Sequence, residues 1–206
     1  KRFVWVLPNG KKLKINNYQG IYELDLSTSF PIERSVYEGR YEPETINLIE
    51  RLISKKSVCI DVGANMGSIS LALAKNAYEG KVIAFEPNPI VFERLASNFK
   101  KNEKLIHFMP ELHNVALGRQ KGSFLLREFA HNPGNSTIRQ IVKNEFESIR
   151  EFKVPVVRLD DILNYDRLKK VDFVKIDTER TELNVLMGFE KGLSKFFPTL
   201  QIETIQ

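Results

Sequence analysis

The sequence lacks the features on which disulfide-stabilised, membrane-spanning and transition-metal proteins depend. Its 206 residues include a single cysteine, Cys59, which lies in an apolar run and is expected in the core. No disulfide framework can therefore form within the chain, and a reducing, cytoplasmic setting is expected. No apolar run approaches the roughly 20 residues that a membrane-spanning helix needs. The three histidines are scattered, and we predict no bound metal.

The charge balance permits an anionic partner without requiring one. The net charge is +5, but the lysines are scattered and pair only in short clusters, as in Lys55-Lys56. This pattern is typical of dispersed, solvated charge, so we expect neither a nucleic-acid partner nor a membrane span. Hydrophobic residues make up 42% of the chain, which suits one soluble globular domain. The sequence defines no oligomeric state.

Residues 1–36 predict an N-terminal extension, and residues 37–206 a single globular domain. Residues 4–15 predict a β-hairpin that turns at Pro8-Asn9-Gly10, because Asn-Gly is a strong turn signal. Residues 18–43 look irregular, and Pro43 suits the first turn of a helix that follows it. The chain stops directly after an apolar strand, which suggests that it is truncated after its fifth core strand.

Strand and helix patterns alternate over most of the chain. Strands are predicted at 58–62, 81–85, 113–117, 171–176 and 199–203, and helices at 68–76, 89–101 and 179–187. This alternation predicts a Rossmann-like α/β fold, with a mostly parallel sheet covered by helices on both faces. Residues 122–158 break the rhythm and predict an insertion whose loops lie over the carboxyl edge of the sheet, where ligand sites are commonly built.

The sharpest motif joins the 58–62 strand to the next helix through Gly63-Ala64-Asn65-Met66-Gly67. The glycines let a ligand approach the backbone, and asparagine tolerates positive φ. The motif fits a dinucleotide fingerprint poorly, because Asn65 and Ser68 stand where that pattern needs its second and third glycines. It fits better as an acidic-x-Gly-x-Gly-x-Gly turn. Asp61 then supplies an acceptor for a ligand that carries cationic groups.

Two further acids follow strands at the same predicted edge. Glu86 lies 19 residues after Gly67, the place at which Rossmann-type sites bind ribose hydroxyls. Asp177 ends the strand predicted beside the glycine strand, and Glu179 follows it, so either carboxylate can accept a proton from an acceptor hydroxyl. Asp177 has an alternative interpretation as a helix N-cap.

Taken together, these segments resemble the FkbM family of S-adenosylmethionine-dependent methyltransferases. The resemblance runs from about residue 37 to residue 203. It is carried, in order, by Tyr41-Glu42-Pro43, Asp61–Gly67, Phe85-Glu86-Pro87-Asn88, Val115-Ala116-Leu117-Gly118, Gly134-Asn135-Ser136-Thr137, Leu159-Asp160-Asp161 and Lys175-Ile176-Asp177-Thr178-Glu179.

The resemblance implies a class I methyltransferase fold, with S-adenosylmethionine as the cofactor and a small-molecule or glycan acceptor. The cofactor-binding residues that it implies are Tyr41, Glu42, Asp61, Gly63, Ala64, Asn65, Gly67, Ser68, Glu86, Pro87, Asn88, Asn114, Val115 and Ala116. Asp177 and Glu179 are the catalytic candidates, and Asn135, Ser136 and Arg180 the candidate acceptor contacts. Arg180 departs from the family pattern, which has glycine there.

We therefore expect O-methylation of a hydroxyl on a sugar, a polysaccharide precursor or a natural product. Three alternatives stay open at this point. The chain can be a non-catalytic binding module that keeps the fold, an NAD-dependent oxidoreductase, or a methyltransferase that acts on RNA.

Overall fold

The computed structural model describes residues 10–129 and 148–203. Seventeen elements are described, and their bounds are β1 (Lys12–Tyr18), β2 (Tyr22–Ser27), α1 (Pro31–Tyr37), α2 (Pro43–Leu52), β3 (Val58–Val62), α3 (Ser68–Asn76), β4 (Lys81–Phe85), α4 (Pro89–Lys101), β5 (Glu111–His113), β6 (Ala116–Leu117), β7 (Gly122–Phe129), β8 (Ser148–Val157), α5 (Leu159–Ile162), β9 (Phe173–Ile176), α6 (Glu182–Met187), α7 (Glu190–Phe196) and β10 (Thr199–Ile202).

Five of these strands form a central sheet in the order β10-β9-β3-β4-β5, and every pair in it is parallel. The strands are almost continuously apolar because helices cover both faces. Alternate residues of β3 separate into two cores: Cys59 packs with the α2–α3 side, and Ile60 with the side of α5, α6 and α7. The predicted Rossmann-like α/β class is confirmed, as is β9 lying beside β3.

The predicted N-terminal hairpin is confirmed, and the hairpin that the structure describes lies further along the chain than residues 4–15. β1 pairs with β2 in antiparallel register, Lys12 opposite Ser27, and the chain turns through Gln19 and Gly20 at positive φ. β2 and α1 therefore occupy a stretch that was expected to be irregular. The missed signal was a period of two, since Tyr22, Leu24 and Leu26 all turn into the core. Residues 4–9, the other part of the predicted hairpin, lie outside the described residues.

Two further boundaries differ from the prediction. The predicted strand at 113–117 is divided, with His113 ending β5 in the central sheet and Ala116 beginning β6 in a second sheet of order β6-β8-β7. The helix expected from residue 179 begins only at Glu182. Glu179 and Arg180 have φ of 52° and 83°, which an α-helix of L-residues does not allow. The strand pair expected in the 122–158 insertion is present as β7 and β8, which are antiparallel.

Candidate functional site

A cleft opens at the carboxyl edge of the central sheet, where β3, β4 and β9 end. Its lining combines the glycine turn, the ends of these strands, one residue of α1 and two of β7. The residues that line it are Ile32, Tyr41, Val62, Gly63, Asn65, Phe85, Glu86, Pro87, Val115, Ala116, Leu117, Phe124, Leu126, Asp177, Thr178, Glu179 and Thr181. This is the edge at which open parallel α/β sheets bind ligands.

The glycine turn passes through the left-handed region at every second residue. Gly63, Asn65 and Gly67 have φ of 81°, 50° and 93°. The backbone N–H groups of Gly63 and Ala64 both donate to the Phe85 carbonyl at 3.0 Å, and those of the following three residues also donate within the protein. The turn is thus held in shape by its own amides.

Gly63 is where the turn passes closest to β9. A Cβ atom built at Gly63 would lie 1.8 Å from the carbonyl oxygen of Asp177. The Asp177 N–H also donates to the Val62 carbonyl at 3.0 Å, which joins the two strand ends. Because residue 63 carries no side chain, the carboxylate of Asp177 is brought to the rim of the glycine turn.

Glu86 organises the neighbouring strand end. Its carboxylate accepts the N–H of Asn65 and the N–H of Asn88, each at 2.9 Å, and it is buried at the base of the cleft. Burial raises the pKa of Glu86 to about 7. Each carboxylate oxygen keeps acceptor capacity for a ligand hydroxyl. Asn114 fixes this corner from the other side, since its Nδ2 donates to the Glu86 carbonyl at 2.8 Å.

A cluster of four acids surrounds one lysine beneath the cleft, and we call it the acidic floor: Glu42, Asp61, Lys175, Asp177 and Glu203. Lys175 Nζ lies 2.9 Å from Asp177 Oδ2 and 3.6 Å from Glu42 Oε1. Burial favours the neutral lysine, but Asp61, Asp177 and Glu42 together raise its pKa. The acidic neighbours therefore stabilise the charged form of Lys175 inside the protein.

The carboxylates of the acidic floor differ in their preferred protonation states. Burial raises the pKa of Asp61. Burial acts in the same direction on Asp177, but Lys175 and a hydrogen bond with Glu203 hold its pKa below the ordinary value. The same hydrogen bond, with burial, raises the pKa of Glu203 to about 7. Asp177 is thus the more readily ionised member of this carboxyl pair, and Glu203 the more readily protonated one.

The two carboxylate oxygens of Asp61 differ in their hydrogen bonding. Its Oδ2 accepts the Ser70 hydroxyl at 2.5 Å, whereas its Oδ1 has no hydrogen-bond partner among the described residues, although Asp61 is fully buried. A buried, unpaired carboxylate oxygen is costly, and it indicates a missing donor or cation.

The loop from Asp177 to Thr181 forms one wall of the cleft. Glu182, at the start of α6, organises it by accepting the N–H groups of Thr178 and Arg180 at 3.1 Å and 3.0 Å. Burial and the nearby Asp177 raise the pKa of Glu179. The Arg180 side chain is exposed at this rim and forms no ion pair within residues 10–129 and 148–203.

The structure brings many of the predicted site residues together in one cleft. Those that line it are Tyr41, Gly63, Asn65, Glu86, Pro87, Val115, Ala116, Asp177 and Glu179. Behind the lining lie Glu42, Asp61, Ala64, Gly67, Ser68, Asn88 and Asn114, and Arg180 lies at the rim. Asn88 caps α4, with its side chain accepting the N–H of Ile90 at 3.0 Å. Asn135 and Ser136 lie outside the described residues.

Sequence reasoning gave no role in the cofactor site to three groups of residues. Lys175 could have been found from the sequence, because a lysine inside a buried apolar strand needs a charged partner. Phe124 and Leu126 could also have been found, from the alternation of inward-facing and outward-facing residues along β7. Ile32 could not have been found, because α1 was not predicted. The interpretation of Asp177 as an N-cap is wrong, since Thr181 precedes α6.

Comparison with known proteins identifies the family to which the chain belongs. Residues 61–206 match the model of the methyltransferase FkbM domain, and the chain belongs to the FkbM methyltransferase family. It is 31% identical over 150 residues to Methyltransferase 1 of Beauveria bassiana, covering 65% of this chain. It is 25% identical to the hexuronic acid methyltransferase AglP of Haloferax volcanii and 27% identical to the 31-O-demethyl-FK506 methyltransferase FkbM of Streptomyces tacrolimicus, over 75% and 65% of this chain. The chain spans 59% of the length of each of these relatives.

Two absences are defined for the described part of the chain. Within residues 10–129 and 148–203 no three His, Cys, Asp or Glu side chains are grouped so as to hold a metal ion. None of the helices in these ranges has the length and apolar character needed to cross a membrane.

Proposed function

We propose that the chain is an S-adenosylmethionine-dependent methyltransferase that transfers a methyl group to an acceptor hydroxyl. The observation that carries this proposal is the juxtaposition of three features at one sheet edge. These are a left-handed glycine turn, the buried Glu86 and the cleft-facing Asp177, with no lysine, arginine or histidine among the described residues of the lining.

The residues present fit this cofactor. Gly63 allows the backbone of Asp177 to pack against the turn, so that Gly63, Asn65 and Asp177 all line the same cleft. Glu86 is placed to accept ribose hydroxyls, and Val115 and Ala116 offer an apolar edge for a base. The unpaired Oδ1 of Asp61, buried behind the lining, contributes to the acidic environment beneath the cleft, which suits the cofactor's cationic amino acid end. When bound, the cofactor provides a methyl group on a positively charged sulfur, already activated for transfer.

Oxygen is the acceptor atom that the site supports best. Asp177 is held ionised by Lys175 at 2.9 Å and lines the cleft, so it can accept the proton of a hydroxyl as the new C–O bond forms. Much of the remaining rate enhancement comes from positioning two bound reactants. The name of the 31-O-demethyl-FK506 methyltransferase supports an oxygen acceptor, and the name of the hexuronic acid methyltransferase supports a sugar-acid acceptor.

The contacts that choose the acceptor are part of this proposal. Arg180, exposed at the rim, is placed to meet an anionic group of the acceptor, and we keep Asn135 and Ser136 as further candidate contacts. Glu179 lies between Asp177 and Arg180 and is the second candidate base.

An NAD-dependent oxidoreductase is disfavoured by the same geometry. A dinucleotide pyrophosphate needs free backbone N–H groups and positive charge at a glycine turn. Here the N–H groups of residues 63–67 each donate within the protein, and the nearest ionisable groups are acids.

Calorimetric titration with S-adenosylmethionine tests the proposal. We expect wild-type binding in the micromolar range and a loss of roughly tenfold or more for Glu86→Ala, because a hydrogen bond to a charged group contributes about 1.5–3 kcal/mol. Glu93→Ala is the matched control, since Glu93 is exposed on α4. Circular dichroism reports whether each variant is folded. A folded wild-type chain that binds no S-adenosylmethionine would refute the proposal.

A further inference from the structure

Lys175 is a buried lysine that does not line the cleft. Its side chain is 3% exposed, and it sits on β9 directly opposite Asp61 of β3 in the parallel register. Lysine is almost never buried to this degree unless its charge is paired, because desolvation is expensive. Its closest ion-pair partner is Asp177, two residues along the chain at 2.9 Å.

Asp177 is the member of the acidic floor that reaches the cleft. The other described groups that interact electrostatically with Asp177 are acidic or neutral: Asp61 on β3, Glu86 after β4, Glu179 in the loop, Glu203 after β10, and Tyr41. Glu42, which precedes α2, shares the charge of Lys175. Lys175 is therefore the one cation among the described groups that opposes protonation of Asp177. Without Lys175, burial and the neighbouring acids favour protonation of Asp177, and the hydrogen bond with Glu203 is the remaining interaction that opposes it.

The charge at Asp177 matters because the proposed reaction changes the charge of the ligand beside it. The acceptor oxygen forms a bond to the methyl carbon, the C–S bond breaks, and its electron pair stays on sulfur. The acceptor's proton passes to a cleft carboxylate. The methyl donor therefore carries one more positive charge than the thioether product.

We propose that Lys175 is a positioning residue that keeps Asp177 negatively charged toward the cleft, so that the site binds the cationic methyl donor in preference to its uncharged-sulfur product. This inference rests on the proposed function. It assigns product release to electrostatics: once the positive charge on sulfur is gone, the attraction between that charge and Asp177 is lost.

The test compares the dissociation constants of S-adenosylmethionine and S-adenosylhomocysteine by calorimetry. We expect wild type to prefer the cationic ligand, and Lys175→Met to lower that preference roughly tenfold near neutral pH, as removal of one nearby charge predicts. Asp177→Asn should lower the preference for the cationic ligand by the same factor. Raising the pH ionises Asp177 again in Lys175→Met, so its preference should return toward wild type, while Asp177→Asn stays low at every pH.

Each variant is read against wild type at the same pH, which cancels the titration of the ligands themselves. Lys170→Met is the matched control, because Lys170 pairs with Asp172 at the same two-residue spacing but on the exposed surface, with the lysine side chain 46% exposed. Lys175→Gln keeps a donor toward Asp177 without the charge, and it carries the same prediction if the methionine variant does not fold.

Four outcomes are distinguishable. A preference that falls in Lys175→Met and recovers at high pH supports the inference. Equal weakening of both ligands at every pH makes Lys175 purely structural and overturns it. A wild-type site that binds both ligands without preference overturns it as well. A folded wild-type chain that binds neither ligand removes the proposed function itself.

Discussion

Replacing Gly63 with alanine is the sharpest test of the described site geometry. The new Cβ would meet the backbone carbonyl oxygen of Asp177 at 1.8 Å, and a backbone atom cannot swing aside as a flexible side chain does. The left-handed φ of 81° adds a cost of about 1–2 kcal/mol for any L-residue. Forcing β3 and β9 apart adds about 1–3 kcal/mol or more, as overpacking does in cores. We expect a total loss of about 2–5 kcal/mol.

Gly20→Ala isolates the backbone contribution. Gly20 has nearly the same φ, 82°, but a Cβ there meets nothing within 4 Å, so this variant should lose only about 1–2 kcal/mol. Urea unfolding followed by circular dichroism measures both. With a slope of about 2 kcal/mol per molar urea, the two midpoints should differ by about 1 M. Equal midpoints would refute the close approach of the glycine turn to Asp177, and with it the assembled cleft.

Three more predictions follow from buried or strained groups. The pKa of Glu86 lies above its ordinary 4.5, at about 7, so the free energy of unfolding that it contributes should fall as pH rises between these values. Glu86→Gln should shrink the stability difference between pH 5 and pH 8 in urea melts, and an unchanged difference contradicts the assignment. Arg94→Ala leaves Glu33, whose side chain is 3% exposed, without its ion pair and should cost about 3–5 kcal/mol, against at most about 1 kcal/mol for the exposed Arg40→Ala. Equal costs would mean that this pair does not anchor α1. Arg180→Gly should raise the melting temperature by a few degrees, because it relieves a φ of 83°, and a lower melting temperature counts against that strain.

The central sheet could be predicted because its signals are local. The bounds of α3 and α4 match their predicted ranges, since Gly67 and Pro89 mark their starts and the apolar pattern their extent. The failures lie where tertiary contacts decide. α1 is short, and Arg94 of α4 holds it through bonds to Glu33 of 2.7 Å and 2.5 Å, a pairing across 61 residues that no local pattern shows.

The site was predictable to the extent that strand ends converge. Carboxyl ends of parallel strands meet at one edge, so Gly63, Glu86 and Asp177 could be placed together from their order along the chain. The roles of individual groups could not be placed in this way. Asn88 was assigned to the cofactor, yet it caps α4. Lys175 looked like a strand lysine, and only the register that sets it opposite Asp61 shows why it is buried.

Backbone strain at the cleft is concentrated on both sides of one contact. After β3 the left-handed residues are Gly63, Asn65 and Gly67. After β9 they are Glu179 and Arg180, neither of which is suited to that region. Non-glycine residues keep such φ values only where the surroundings hold them, and here Glu182 does so by binding the backbone of the loop. Because these two residues are not helical, α6 begins only at Glu182, and Glu179 lines the cleft beside Asp177. The strain therefore keeps two acidic side chains, rather than one, facing the proposed acceptor.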